Sequence, residues 1–283
     1  MGTRTVEQPR LLIERAPVRG RRSLLRRMWR GRVTRRIPLL VSWVIGLGLW
    51  ELIGRVSSEF VFASFTDTVA AFWELARSGT LLEATRVSMI ELSIGFGIGA
   101  AVGVVGGIAA GLSRLFRRMS EHWITVMMAV PFAAVFPIFL VWFGLGLSSK
   151  IALAVFACFI PVWINTATGI MSVNPQLVEM ARSFGARWPQ VLRTVVLPWS
   201  LPSLIEGLRM GLGRAFLGVI IGELLASREG LGFLITLSGT TLRMDNLLAA
   251  VMTVTLITLG LTYLMRLAQR IAVPWWSERG GES

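Results

Sequence analysis

The chain has 283 residues, 54% of them hydrophobic, and a mean hydropathy of +0.65, which argues against an ordinary soluble domain and for a membrane protein. Basic residues outnumber acidic ones by 29 to 16, a net charge of +13. With one His and one Cys the usual zinc site is excluded, and Cys158 has no partner for an internal disulfide.

The excess charge is local. Residues 1–36 hold twelve Arg against only Glu7 and Glu14. This tail abuts the first apolar segment, so the positive-inside rule places the N-terminus in the cytosol, where the tail can also meet anionic membrane lipids. No stacking aromatics or fold motif accompany the arginines, and nucleic acid is not an expected partner. The basic region is too long for a cleavable signal peptide, and the apolar run after Arg36 lacks a small-x-small cleavage site.

Residues 38–54 read as a short first span with Trp43 and Trp50. Residues 55–86 mix Glu59, Asp67, Glu74 and Glu83 with Arg55, Arg77 and Arg86, a weaker basic bias that suits an outside segment. Within it Val69, Phe72, Trp73 and Ala76 share one helical face, so a helix lying along the membrane is expected. The second span, 87–112, places Gly95, Gly99, Gly103, Gly107 and Gly111 at every fourth position, a stripe that lets another helix approach closely. Glu91 near its start is costly against lipid and should face protein or water.

Arg114, Arg117 and Arg118 mark the next loop as cytosolic. The third span, 124–143, contains Pro131 and Pro137, which free backbone carbonyls and kink a helix. Residues 144–150 read as a tight outside turn ending in the only lysine, Lys150. The fourth span, 151–171, carries Asn165, Thr166 and Thr168, whose polar groups either line a water-filled route or bond to another helix. The fifth, 203–226, repeats small residues at Gly207, Gly211, Gly218 and Gly222 and ends near Glu223. An outer connection, 227–246, leads to the sixth, 247–267, followed by Arg266, Arg270, Trp275 and Trp276 at the cytosolic interface. The expected organisation is a basic tail over 1–36, a membrane domain over 37–272 and a C-terminal tail over 273–283. Six crossings return the chain to the side from which it started.

One polar stretch, 174–198, interrupts this pattern. Asn174 can cap a helix, Pro175 suits its first turn, and Gly185 sits where a helix end needs left-handed dihedrals. Leu177, Met180, Ala181 and Phe184 follow the i, i+3, i+4, i+7 rule and form one apolar face. So short a helix is marginal alone and must dock on its own chain or on a partner.

Glu179-Met180-Ala181, then Gly185, then Val195-x-Leu197-Pro198 resembles the cytoplasmic EAA loop of bacterial ABC importer permeases, with Met180 in place of the first Ala. From about residue 61 to 270 the order of segments is similar to the nitrate/sulfonate/taurine branch of that family. Glu223 resembles an acidic position of the branch, and Gly230-Leu231-Gly232 one of its Gly-Leu-Gly elements. The family's Leu-Pro-Ser-Pro turn is here Phe62-Ala63-Ser64-Phe65.

The resemblance implies an all-α, six-transmembrane-helix permease of the type I importer kind. Its loop would form a coupling helix on a cytosolic ABC ATPase, with Glu179, Ala181, Gly185, Leu197 and Pro198 carrying the coupling. It implies further a solute-binding protein outside, a second copy of the chain as homodimer partner, and a plasma-membrane location with both termini cytosolic. The cargo it implies is a small anion such as a sulfonate or nitrate, or a vitamin precursor. Asn165, Thr166 and Glu223 are the candidates for lining the pathway.

The chain's own chemistry is sparse. It lacks G-x-x-x-x-G-K-[ST], H-E-x-x-H and G-x-S-x-G, and the glycines of 95–99 lie in an apolar run without a phosphate-binding helix start. No catalytic residue, cofactor or metal is therefore expected, and the ATPase is expected on another polypeptide. A membrane-embedded enzyme would need a convergent set of catalytic groups, whereas Glu91 and Glu223 lie far apart in sequence. An ATP-independent transporter or channel would be expected to show inverted repeats, and the two halves show no such repeat.

Overall fold

The computed structural model describes residues 38, 41–58 and 60–273, so the Arg-rich tail and the C-terminal tail lie outside the described residues. The chain divides into two units, residues 1–52 and 53–283. In the first, residues 41–52 are helical, the beginning of a helix (α1) that continues to 56.

The second unit is a helical bundle. It contains α2 (Phe65–Arg77), α3 (Thr80–Leu112), α4 (Arg114–Ala129), α5 (Phe132–Phe143) and α6 (Leu147–Met171). Then follow α7 (Pro175–Ser183), α8 (Trp188–Val191), a π turn (Leu192–Val196), α9 (Leu197–Ala226), α10 (Leu231–Thr240) and α11 (Met244–Ala272). Among the described residues, α3, α6 and α11 are each long and apolar enough to cross a membrane. Two bent pairs, α4 with α5 and the Trp188–Ala226 run with α10, bring the candidate spans to five. The expected first span, 38–54, falls partly outside the described residues.

Glycine spacing positions the centre of the bundle. The stripe from Gly95 to Gly111 meets Ala154, Cys158, Val162, Thr166 and Ile170 of α6, rung by rung, with both sequences rising together. The helices α3 and α6 therefore run parallel. A Cβ added at Gly103 would stand 2.6 Å from Cβ of Val162 and 2.8 Å from the Phe159 carbonyl oxygen, so the backbones touch where no side chain intervenes. On its other side α6 meets Gly207, Gly211, Gly218 and Gly222 of α9 in descending order, which makes that pair antiparallel. The main apolar core lies around this three-helix sandwich, with Leu92, Cys158, Val162, Phe216 and Val219 buried in it.

The structure differs from the sequence expectations in several places. Residues 124–143 are not one span: α4 and α5 meet at 101°. Pro131 begins α5 in place of continuing α4, and Val130 before it is extended at ψ 125°, as steric conflict with a proline ring demands. Pro137, by contrast, is accommodated inside α5. The helix α6 starts at Leu147, so Lys150 is not a turn residue but lies in the first turn, buried. The helix α9 starts at Leu197, six residues earlier than the expected span, because the π turn joins it to α8 without a break. The connection over 227–246 contains α10. In α2, Phe72, Leu75 and Ala76 pack on the core while Trp73 is exposed. Ser64 caps this helix by accepting the Asp67 N–H at 3.1 Å.

Candidate functional site

The first candidate is the 174–198 segment. Asn174 Oδ1 accepts the Gln176 N–H at 2.9 Å, and Pro175 occupies the first turn of α7. At the other end Gly185 has φ +82°, its N–H donates to the Arg182 carbonyl at 2.9 Å, and the Ala186 N–H reaches back to the Ala181 carbonyl at 3.1 Å. This pair of bonds is a Schellman closure, and Ala181 and Ala186 at its two ends both pack on one apolar cluster. A Cβ on Gly185 would meet nothing within 4 Å, so the glycine serves the turn's dihedral and not a close approach within this chain.

The helix α7 has two apolar faces. Val178 and Ala181, with Ala186, pack onto the cluster of Ile170, Val191 and Val196, which Ile108 of α3 also joins, so the segment is held at the end of the bundle. Met180 and Phe184 turn outward, 54% and 86% exposed. The single face expected from Leu177, Met180, Ala181 and Phe184 is thus split: Ala181 faces its own chain and Met180 and Phe184 do not. Glu179 is exposed beside them. Beyond the turn, Arg182 lies over the Trp188 ring at 5.4 Å, and Gln190 accepts the Arg187 N–H at 2.8 Å. Leu197 and Pro198 begin α9 directly after the π turn, inside a run that stays helical from Trp188. The helix, its caps and the rigid entry to α9 form one continuous unit at the bundle end.

At the opposite end two carboxylates are buried. Glu91 of α3 forms an ion pair with Lys150 of α6, and Lys150 also donates to the Ser227 hydroxyl at 3.1 Å. Glu223 of α9 accepts from the Ser88 hydroxyl at 2.6 Å and from the Gly232 N–H at 2.7 Å. Gly230, at φ +99°, passes so close to the Glu223 carboxylate that a Cβ there would collide with it. Glu223 and the Gly-Leu-Gly element, separate features of the sequence, are one hydrogen-bonded unit. Both carboxylates have partners, as burial in a span requires.

The third feature is a cavity of about 220 Å³ at the α4–α5 break, walled by α6 and α9. Met127, Phe132, Phe156 and Met210 give it an apolar lining, and Asn165 and Arg214 bring polar groups. Asn165 uses one amide N–H on the Pro161 carbonyl at 2.9 Å. Thr166, one position further round α6, is instead buried against Gly107. Of the three pathway candidates only Asn165 lines this cavity, and Glu223 lies in the end network.

Sequence reasoning passed over Arg214. It is exposed and takes part in no ion pair or hydrogen bond among the described residues. It sits near the middle of the 30-residue α9, about 25 Å along the axis from Leu197. An arginine at the centre of a membrane helix costs about 2.5–3.5 kcal/mol on insertion scales. A charge inside an otherwise apolar run was the signal available for it.

Residues 103–278 match the family described as binding-protein-dependent transport system inner membrane component. The permease protein SsuC of Escherichia coli, named for aliphatic sulfonates transport, is 35% identical over 241 residues, covering 83% of this chain and 92% of its own. The riboflavin transport system permease protein RibX of Chloroflexus aurantiacus is 38% identical over 237 residues, covering 84% and 87%. A chain of the MetNI methionine ABC transporter in an inward-facing conformation shares the fold, with a TM-score of 0.54 at 20% identity over 71% of this chain and 95% of that one. The chain belongs to the binding-protein-dependent transport system inner membrane component family, and is a multi-pass inner-membrane permease subunit of an ABC importer whose family works with a separate ATPase and a solute-binding protein.

Proposed function

We propose that α7 is the coupling helix and that its outward face, Met180 and Phe184 beside Glu179, is the part the ATPase grips. The single observation that carries this is the split of α7 into a docked face and an exposed apolar face on a doubly capped helix. A docked, capped helix transmits a push, whereas a loose loop would absorb it. Ala181 holds the helix to the bundle, Gly185 closes it, and Leu197-Pro198 pass the movement into α9. Two copies of the chain would enclose the path, with both termini cytosolic, as the Arg-rich tail supports, and with anionic lipid against that tail. The chain itself would carry no catalytic step.

The cargo is a small organic anion of the sulfonate kind. The likeness to SsuC supports this, and so does the cationic Arg214 in the membrane cavity. The reading is tested by purifying the chain from its native membrane in mild detergent, wild type beside Gly185→Val. A nucleotide-hydrolysing subunit that accompanies the wild type and is lost with Gly185→Val is the expected result. Purification without any ATPase, together with transport that persists without ATP, overturns it.

A further inference from the structure

We infer that Arg214 and Asn165 form an anion-binding site inside the membrane, in the cavity between the α4–α5 break, α6 and α9, for the charged head of a small organic anion whose apolar body lies on the methionines and phenylalanines around it.

Arg214 has no internal explanation. Beyond their first turns, the long helices α3, α6, α9 and α11 carry three carboxylates among the described residues, and each is already taken. Glu91 holds Lys150, Glu206 holds Arg209 one turn away, and Glu223 receives the Ser88 hydroxyl and the Gly232 N–H. Within those four helices no carboxylate is left to neutralise Arg214. Nor does it reach an interface easily: it stands about 18 Å along the axis from Ala226 and about 25 Å from Leu197, further than an arginine side chain extends. A lipid headgroup is therefore not its counterion.

The cavity beside it has the composition of a small-molecule site, apolar walls with a few convergent polar groups. A planar guanidinium offers paired N–H donors that match the oxygens of a sulfonate or carboxylate. The second amide N–H of Asn165 meets only the Met210 sulfur, at 3.8 Å, and is available to a stronger acceptor. Met210 and Arg214 are four residues apart and so share one face of α9, which places the thioether against the body of a ligand whose head is on the guanidinium. The requirement for an anion discriminates between the two relatives: an alkylsulfonate satisfies Arg214, and uncharged riboflavin does not.

This inference rests on the importer reading for the idea that the cavity lies on the cargo's route, but its test is separate. The permease, purified with the ATPase that accompanies it, is placed in nanodiscs of zwitterionic phosphatidylcholine. Binding of radiolabelled ethanesulfonate is then measured by equilibrium dialysis, with riboflavin as the uncharged comparison. Wild type is expected to bind ethanesulfonate and not riboflavin. Arg214→Gln should weaken binding about ten-fold or more, Arg214→Lys should restore part of it, and Asn165→Leu should weaken it while leaving the charge in place. ATPase association in the Arg214 and Asn165 variants shows that they are folded. Gly185→Val should lose the ATPase and keep ethanesulfonate binding, so failure of coupling and failure of the site are read independently. Equal binding by wild type and Arg214→Gln, no binding by wild type, or equal binding of riboflavin would each overturn the inference.

Discussion

The Ser88 hydroxyl donates to Oε1 of Glu223 at 2.6 Å across 135 residues of sequence, and its oxygen in turn receives the Leu231 N–H at 3.0 Å. One small side chain thus joins α3, α9 and the start of α10. Replacing it by alanine strands a buried carboxylate oxygen and a buried backbone N–H together. Ser88→Ala is expected to destabilise the detergent-solubilised protein by about 1–3 kcal/mol. Thermal unfolding followed by tryptophan fluorescence checks this, and a transition unchanged from wild type would show that the bond contributes nothing.

The neighbouring Glu91–Lys150 pair should behave differently. Both side chains are buried, at 0% and 7% exposure, so removing one leaves the other charge without compensation. Lys150→Met alone is expected to cost about 3–5 kcal/mol, whereas Glu91→Leu with Lys150→Met should recover most of that loss. A double-mutant cycle on unfolding midpoints measures the coupling, and additive losses would mean that the two charges do not stabilise one another.

The glycine contacts make a graded prediction. Gly103→Val forces a side chain into the Phe159 backbone and Val162, where nothing can yield except the helix separation. Gly97 lies on the same helix with open space around its Cβ position. Gly103→Val is therefore expected to lose about 1–3 kcal/mol or fail to accumulate, and Gly97→Ala to be neutral or slightly stabilising. Expression level and unfolding temperature of the two variants, measured side by side, decide it.

What the sequence made legible was whatever acts over a few residues. The Asn174 cap, Pro175 and Gly185 operate within one turn, and the four-residue glycine period marks a helix face directly, so α7 and the packing stripe of α3 could be read without coordinates. Partners distant in the chain could not. Lys150 follows two glycines and looked like the end of a turn, and only the fold brings it to Glu91. Both sides of α7 are apolar, so periodicity alone could not decide that Val178 and Ala181 face inward and Met180 outward. Pro131 and Pro137 look alike in sequence, yet one separates two helices and the other sits within one. Arg214 was legible in principle, since a charge in the middle of an apolar run demands an account.

The exposed face of α7 gives the sharpest mutational contrast. Phe184 is 86% exposed and belongs to no internal core, so Phe184→Ala removes nothing that the permease itself needs to fold. If the ATPase grips this face, the loss appears only in the complex: a buried aromatic anchor at an interface costs about 2 kcal/mol or more when truncated. Ala181→Leu is the complementary change. It adds bulk on the docked face, against Val191 and Val196, and should disturb the segment's own packing first. Phe184→Ala is therefore expected to keep the wild-type unfolding temperature while weakening ATPase retention about thirty-fold. Ala181→Leu is expected to lower the unfolding temperature as well. Titrating purified ATPase onto the two variants in nanodiscs separates these outcomes. Full ATPase affinity in Phe184→Ala would mean that the partner binds elsewhere and that the outward face of α7 has another use.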